Sequence, residues 1–162
     1  MAERTYSVIE DAHKIIEKLT ERYPEVLWQV RPHQVVVLGI ENKEPTKRSA
    51  SYKVRAINNA EKALFKINKI ETRFIIEVFW ASWNEWDSAR KEWVLLNSLL
   101  RISVDEGKLL RPDAVEFKLI LDKVSFDWDE EGSALPSLTV GPLVEFDLSL
   151  RPGLEDEENE DD

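Results

Sequence analysis

Apolar residues recur at spacings of three and four through Val8, Ala12, Ile15, Ile16 and Leu19, with Glu10, Lys14, Glu17, Lys18 and Glu21 between them. That period predicts an amphipathic helix over residues 6–23. Ser7 and Glu10 stand at the spacing of a capping box. Tyr23 precedes Pro24, and a residue before proline avoids the α region, so the helix is expected to stop there. Residues 34–40 are apolar and β-branched and predict a buried strand. Residues 41–50 are polar, contain Pro45 and read as a loop. Over 51–57, Tyr52, Val54 and Ala56 alternate with Lys53 and Arg55, which predicts a half-exposed strand with a basic outer face. Residues 72–80 form the strongest strand candidate.

Residues 85–102 contain neither Gly nor Pro. Trp86, Ala89, Trp93, Leu96 and Leu100 make one apolar stripe, and Leu95, Leu99 and Ile102 lie nearly opposite. A helix that is apolar almost all round is a central, buried helix. Arg90, Asn97 and Arg101 fall within about 40° of one another at the helical 100° per residue, as a narrow polar strip. Asp105-Glu106-Gly107 breaks the chain. A further helix is expected from Arg111, with Pro112 in its first turn and Asp113 near its N-terminal dipole, running from Ala114 to Val124 and burying Val115, Leu119 and Ile120. Beyond Ser125, short apolar pieces at 138–140 and 143–150 read either as edge strands or as a docked arm. The fold class is therefore α+β: a mixed or antiparallel sheet against a buried central helix, with an acidic C-terminal extension. The divisions expected are a domain over 1–128, an extended arm over 129–150 and a disordered acidic tail over 151–162.

Composition narrows the chemistry. The 162 residues and 18.9 kDa suit one domain with its own core. The chain has no cysteine, which excludes disulfides, thiolate zinc sites, iron–sulfur clusters and cysteine nucleophiles. His13 and His33 are its two histidines, so a three-histidine metal site is excluded too. No apolar run approaches the roughly 18 residues of a membrane span, and no signal peptide is evident, so a cytoplasmic location is expected. No cofactor is expected.

The net charge of −10 is polarised. Residues 103–162 carry 18 acidic and 5 basic side chains, whereas residues 43–73 carry nine Lys/Arg against three Glu. Direct nucleic-acid binding by the whole chain is disfavoured, because phosphates are repelled on average. Lys47, Arg48, Lys53 and Arg55 remain a candidate anion contact, against the alternative of a lysine-protected strand edge.

The order of elements, together with Glu21-Arg22-Tyr23-Pro24-Glu25 and Trp80-Ala81-Ser82-Trp83, resembles the small zincin-like metallopeptidases of phages, mobile elements and archaea. The resemblance covers residues 8–128. It implies an apolar strand before a helix bearing His-Glu-x-x-His, then a third ligand in a Gly-x-Leu-x-Pro-His stretch. The corresponding residues here are Asn97-Ser98-Leu99-Leu100-Arg101-Ile102 and Gly107-Lys108-Leu109-Leu110-Arg111-Pro112-Asp113. Asn97 and Arg101 replace both histidines, Ser98 replaces the general base, and Pro112 or Asp113 stands at the third ligand. A catalytic zinc site needs three protein ligands and a base for the bound water. The resemblance thus implies the scaffold without its zinc chemistry. Arg101 and Asp113 are then expected either to pair where the metal stood, with Asn97 alongside, or to be satisfied separately.

Trp80, Trp83 and Trp86 gather at the strand-to-helix junction and, with Trp128, read either as core or as an aromatic interface. The function expected is non-catalytic: a phage or mobile-element protein that binds another protein, as adaptor or inhibitor. Two alternatives are a DNA-mimic inhibitor acting through its carboxylates, and a hydrolase with rearranged residues.

Overall fold

A computed structural model describes residues 3–46, 51–103, 108–111, 117–124, 128 and 134–152. The chain is mixed α and β. Its strands are β1 (Tyr6–Val8), β2 (Val35–Ile40), β3 (Tyr52–Ala56) and β4 (Phe74–Phe79). Its α-helices are α1 (Glu10–Arg22), α2 (Asn59–Ile67), α3 (Trp80–Glu85), α4 (Ser88–Leu99) and α5 (Lys118–Leu121). The sheet order is β1-β2-β4-β3. β2 and β4 are parallel at its centre, and β1 and β3 are antiparallel edges.

The pleat divides the strand residues between two faces. On one face Val35, Val37, Val54, Phe74, Ile76 and Val78 join the core with Ala12, Ile16 and Leu19 of α1. Trp93, Leu95, Leu96 and Leu99 of α4 and the following Leu100 are fully buried in the same core. With Val94 and Ser98 also buried, α4 is enclosed around most of its circumference, as predicted for a central helix. On the opposite face the register puts Leu38 beside Glu77 and Glu77 beside Lys53.

Several expectations are corrected. Residues 6–8 are not the first turn of α1. They pair antiparallel with β2, Tyr6 opposite Ile40 and Val8 opposite Leu38, which leaves Val8 exposed. Sheet pairing takes up backbone groups that a helix start would leave open. Ser7 and Glu10 make no capping box: Ile9 is the N-cap, without a side-chain bond, and the Ser7 hydroxyl accepts the Trp80 Nε1–H at 2.8 Å.

The helix expected over 85–102 is shorter. Asp87 caps α4 by accepting the Arg90 N–H at 2.8 Å, and Trp86 before it is extended. At the other end Ile102 bridges Leu109, and the Arg101 carbonyl accepts the Leu110 N–H at 2.6 Å. The helix expected over 114–124 is reduced to α5 at its described end, because Phe117 is extended (φ −69°, ψ 136°). Val115 lies outside the described residues.

Residues 134–147 form neither edge strand nor helix. They lie across α1 and α4, where the Arg22 Nε donates to the Leu138 carbonyl at 2.7 Å and its Nη2 to the Gly141 carbonyl at 2.8 Å. The Trp93 Nε1 donates to the Pro136 carbonyl at 2.8 Å, and Phe146 packs edge-on against Tyr23 and Trp93. Leu138 is fully buried. Residues 153–162 lie outside the described part.

Candidate functional site

The positions that the resemblance places at the zinc are turned to other uses. Asn97 points toward the sheet and donates from Nδ2 to the Tyr52 hydroxyl at 2.8 Å. Ser98 is buried, and its hydroxyl donates back to the Val94 carbonyl at 2.8 Å, one turn earlier in α4. A side chain bound into its own helix does not reach an open site. Arg101 stands beyond the last residue of α4 and donates from Nε to the Leu110 carbonyl at 3.3 Å. Asn97 and Arg101 therefore have different neighbours. Pro112 and Asp113 lie outside the described residues, and with them the expected Arg101–Asp113 pair. Among the described residues, no three His, Cys, Asp or Glu side chains gather closely enough to hold a metal ion.

The tryptophans divide. Trp83 and Trp128 are buried, 3% and 1% exposed, so neither offers an aromatic surface to a partner. Lys91 covers the Trp83 ring at 5.0 Å, and Trp86 meets it edge-on at 6.3 Å. Trp80 and Trp86 are half-buried and also pack on the core. Their apolar area belongs to the junction between β4, α3 and α4.

The basic face of β3 is also satisfied internally. Glu77, nearly buried in the central strand, has the Lys53 Nζ at 3.5 Å and the Arg55 Nε at 3.9 Å. Arg55 grips Glu61 with both terminal nitrogens, at 2.7 and 3.2 Å. This fork holds the Glu61 carboxyl below the usual glutamate range, helped by the Asn58 backbone N–H, and raises the Arg55 guanidinium. An anion arriving at Arg55 would have to displace Glu61. Lys47 and Arg48 lie outside the described residues.

The Glu61 contact leads to α2, an element absent from the predictions above. Asn58 and Glu61 form a complete capping box, with the Glu61 N–H donating to Asn58 Oδ1 at 2.8 Å and the Asn58 N–H to Glu61 Oε1 at 3.0 Å. The far end closes equally firmly. The Ile70 N–H donates to the Phe65 carbonyl at 2.8 Å and the Lys69 N–H to the Lys66 carbonyl at 3.4 Å, with Lys69 left-handed at φ 56°. This is a Schellman closure with lysine where glycine is usual.

No residue of α2 is buried. Ala60, Ala63, Leu64 and Ile67 share one face at helical spacing, and that face points outward. Leu64 is 57% exposed, Ile67 77% and Ile70 47%. Glu61, Lys62 and Phe65 are the half-buried side chains. The helix is thus inverted relative to an ordinary surface helix, its apolar stripe outermost. The sequence signals were present in Asn58-x-x-Glu61 and the stripe that follows, but period alone does not say which way a stripe will face.

Comparison of the chain with family models, with curated proteins and with solved structures returns no match.

Proposed function

We propose that this is a non-catalytic binding protein, a metallopeptidase-like scaffold without zinc chemistry, which holds another protein through the outward stripe of α2. The observation that carries the reading is the exposure of Leu64 and Ile67 on a helix capped at both ends, and of Ile70 in the turn that closes it. A short helix is marginal by itself. Here its two caps prepare it before any partner arrives, and preorganisation lowers the entropic cost of binding. Helix-in-groove recognition uses anchors at such spacings.

Charge selects the partner. Lys62, Lys66 and Lys69 accompany the stripe, and Glu61 is already held by Arg55. Two copies of the stripe facing each other would bring lysines together. The complementary surface is an apolar groove rimmed by carboxylates on a different protein. In this reading Asn97, Ser98 and Arg101 are structural and Trp83 stays inside.

The test is a photo-crosslinking residue at position 67, used in a lysate of the source cells. The expected result is one heavier adduct that fades with added salt, is competed by unlabelled protein, and is not competed by protein carrying Leu64→Asp. The reading fails if the Leu64→Asp protein competes equally. It also fails if purified protein alone forms the adduct, which would assign the stripe to self-association.

A further inference from the structure

Residues 155–162 hold seven carboxylates in eight positions, interrupted only by Asn159. Like charges at that density repel one another, and a cationic surface within reach relieves them. The described part ends at Pro152. Just before it Arg151 is fixed, its Nη1 donating to the Glu25 carbonyl at 2.9 Å. From Glu25 the chain passes through turns to Gln34, whose carbonyl accepts the Arg73 N–H at 2.8 Å beside the start of β4. β3 ends at that same strand start, Ala56 opposite Phe74, and α2 follows it. Arg151 and α2 are thus attached at one end of the sheet. Ten residues from Gly153 extend up to about 33 Å, and the nine residues of α2 span about 14 Å.

The cations stand on α2. Lys62 and Lys66 lie one turn apart on one flank of the apolar stripe, and Lys69 follows in the closing turn. Lys66 and Lys69 are exposed, and Lys62 is half-buried. The carboxylates nearest them in sequence are engaged elsewhere: Glu61 with Arg55 at 2.7 Å, and Glu71 facing the His33 Nε2 at 3.7 Å. Among the described residues, Lys62, Lys66 and Lys69 make no ion pair.

We infer that the acidic segment 155–162 of this same chain docks on Lys62, Lys66 and Lys69 when no partner is bound, and competes with the partner's carboxylates for them. Single exposed pairs contribute little. A short tether holds the two charges together at about millimolar effective concentration, so weak pairs acting together suffice. The competition rests on the binding role proposed for α2, whereas the contact itself does not.

The test joins carboxylates to amines in the purified 162-residue protein with a carbodiimide, and reads the linked peptides by mass spectrometry. The expected link connects 155–162 to Lys66 or Lys69, within one chain in an equal mixture of light and heavy-isotope protein. Its yield is expected to fall several-fold in about 0.5 M salt. The inference is overturned if the segment links to no lysine, to lysines outside α2 as often, or between chains. Glu155→Gln, Asp156→Asn, Glu157→Gln and Glu158→Gln together are expected to raise the lysate adduct at position 67 several-fold at fixed salt. An unchanged adduct overturns the competition. Intrachain links without any lysate adduct support the contact and overturn the binding role of α2, whereas a normal adduct without links overturns the contact alone.

Discussion

The carboxylate of Glu92, in the middle of the buried helix α4, accepts the hydroxyl of Thr139 at 2.8 Å across 47 residues of sequence. It also accepts the Ser137 hydroxyl at 2.9 Å and the Thr139 N–H at 3.3 Å. Glu92 is 2% exposed. A carboxylate that deep is tolerated because the C-terminal segment surrounds it with donors. The same bonds fasten that segment to the core.

Glu92→Ala is expected to lower stability by about 3 kcal/mol, since it strands three donors and opens a gap. Glu92→Gln is expected to lose about half as much. Urea melts measure both. Limited proteolysis is expected to cut residues 134–147 first in the alanine variant, whereas unchanged cleavage would detach the segment's placement from Glu92.

Gly39 faces the Trp80 indole so closely that a Cβ would overlap the ring, whose Nε1 is bonded to Ser7. Gly39→Ala is expected to destabilise by about 2–3 kcal/mol through overpacking. Combining it with Trp80→Ala is expected to cost less than the two changes summed. Additive losses in a double-mutant cycle would show that the ring does not set the limit.

Lys69 holds a left-handed conformation that costs a side-chain-bearing residue about 1 kcal/mol more than glycine. Lys69→Gly is therefore expected to raise the melting temperature by several degrees. The same change removes one cation beside the α2 stripe, so partner capture is expected to weaken slightly while stability rises.

The Arg55–Glu61 pair contributes to acid sensitivity. The folded Glu61 carboxyl is held below the ordinary 4.5, first by its hydrogen bond to Arg55. The unfolded chain therefore takes up this proton at higher pH than the folded one. The pair's stabilisation is whole above pH 4.5 and is lost as pH falls through the lower folded value. Glu61→Gln is expected to flatten part of the decline in stability as pH falls below 4.5. An unchanged slope would mean that other carboxylates carry the acid limb.

Tyr52→Phe removes the acceptor for the Asn97 amide, whose Oδ1 is buried and without a partner among the described residues. A loss of about 1–2 kcal/mol is expected. Tyr52→Phe with Asn97→Leu is expected to recover most of it, which fits a structural role at this position. A failure of the double variant to recover would point to a polar requirement beyond packing.

The central architecture was legible in the sequence because local pattern and tertiary environment agree there. β2 and β4 lie inside the predicted apolar runs 34–40 and 72–80, and the alternation of Tyr52, Val54 and Ala56 placed β3. The run at 93–100, apolar on most of its circumference and broken by the strip that carries Asn97, announced a buried α4. These signals depend on which residues must leave water, and each short segment carries that information itself.

The rest depended on partners distant in sequence. Whether Tyr6–Val8 would be strand or helix was settled by the free edge of β2. The same stretch satisfied both periods, and sheet pairing prevailed. Asp87 divided the run of residues that ended in α4, and the Ile102–Leu109 bridge stopped that helix before Arg101, leaving Asn97 and Arg101 with different neighbours. Glu92 and Thr139 meet only after the chain has packed. The outward turn of α2 was decided in the same way. Its period is visible in the residues, but its facing follows from Glu61 being drawn to Arg55, a contact that exists only once β3 is in place.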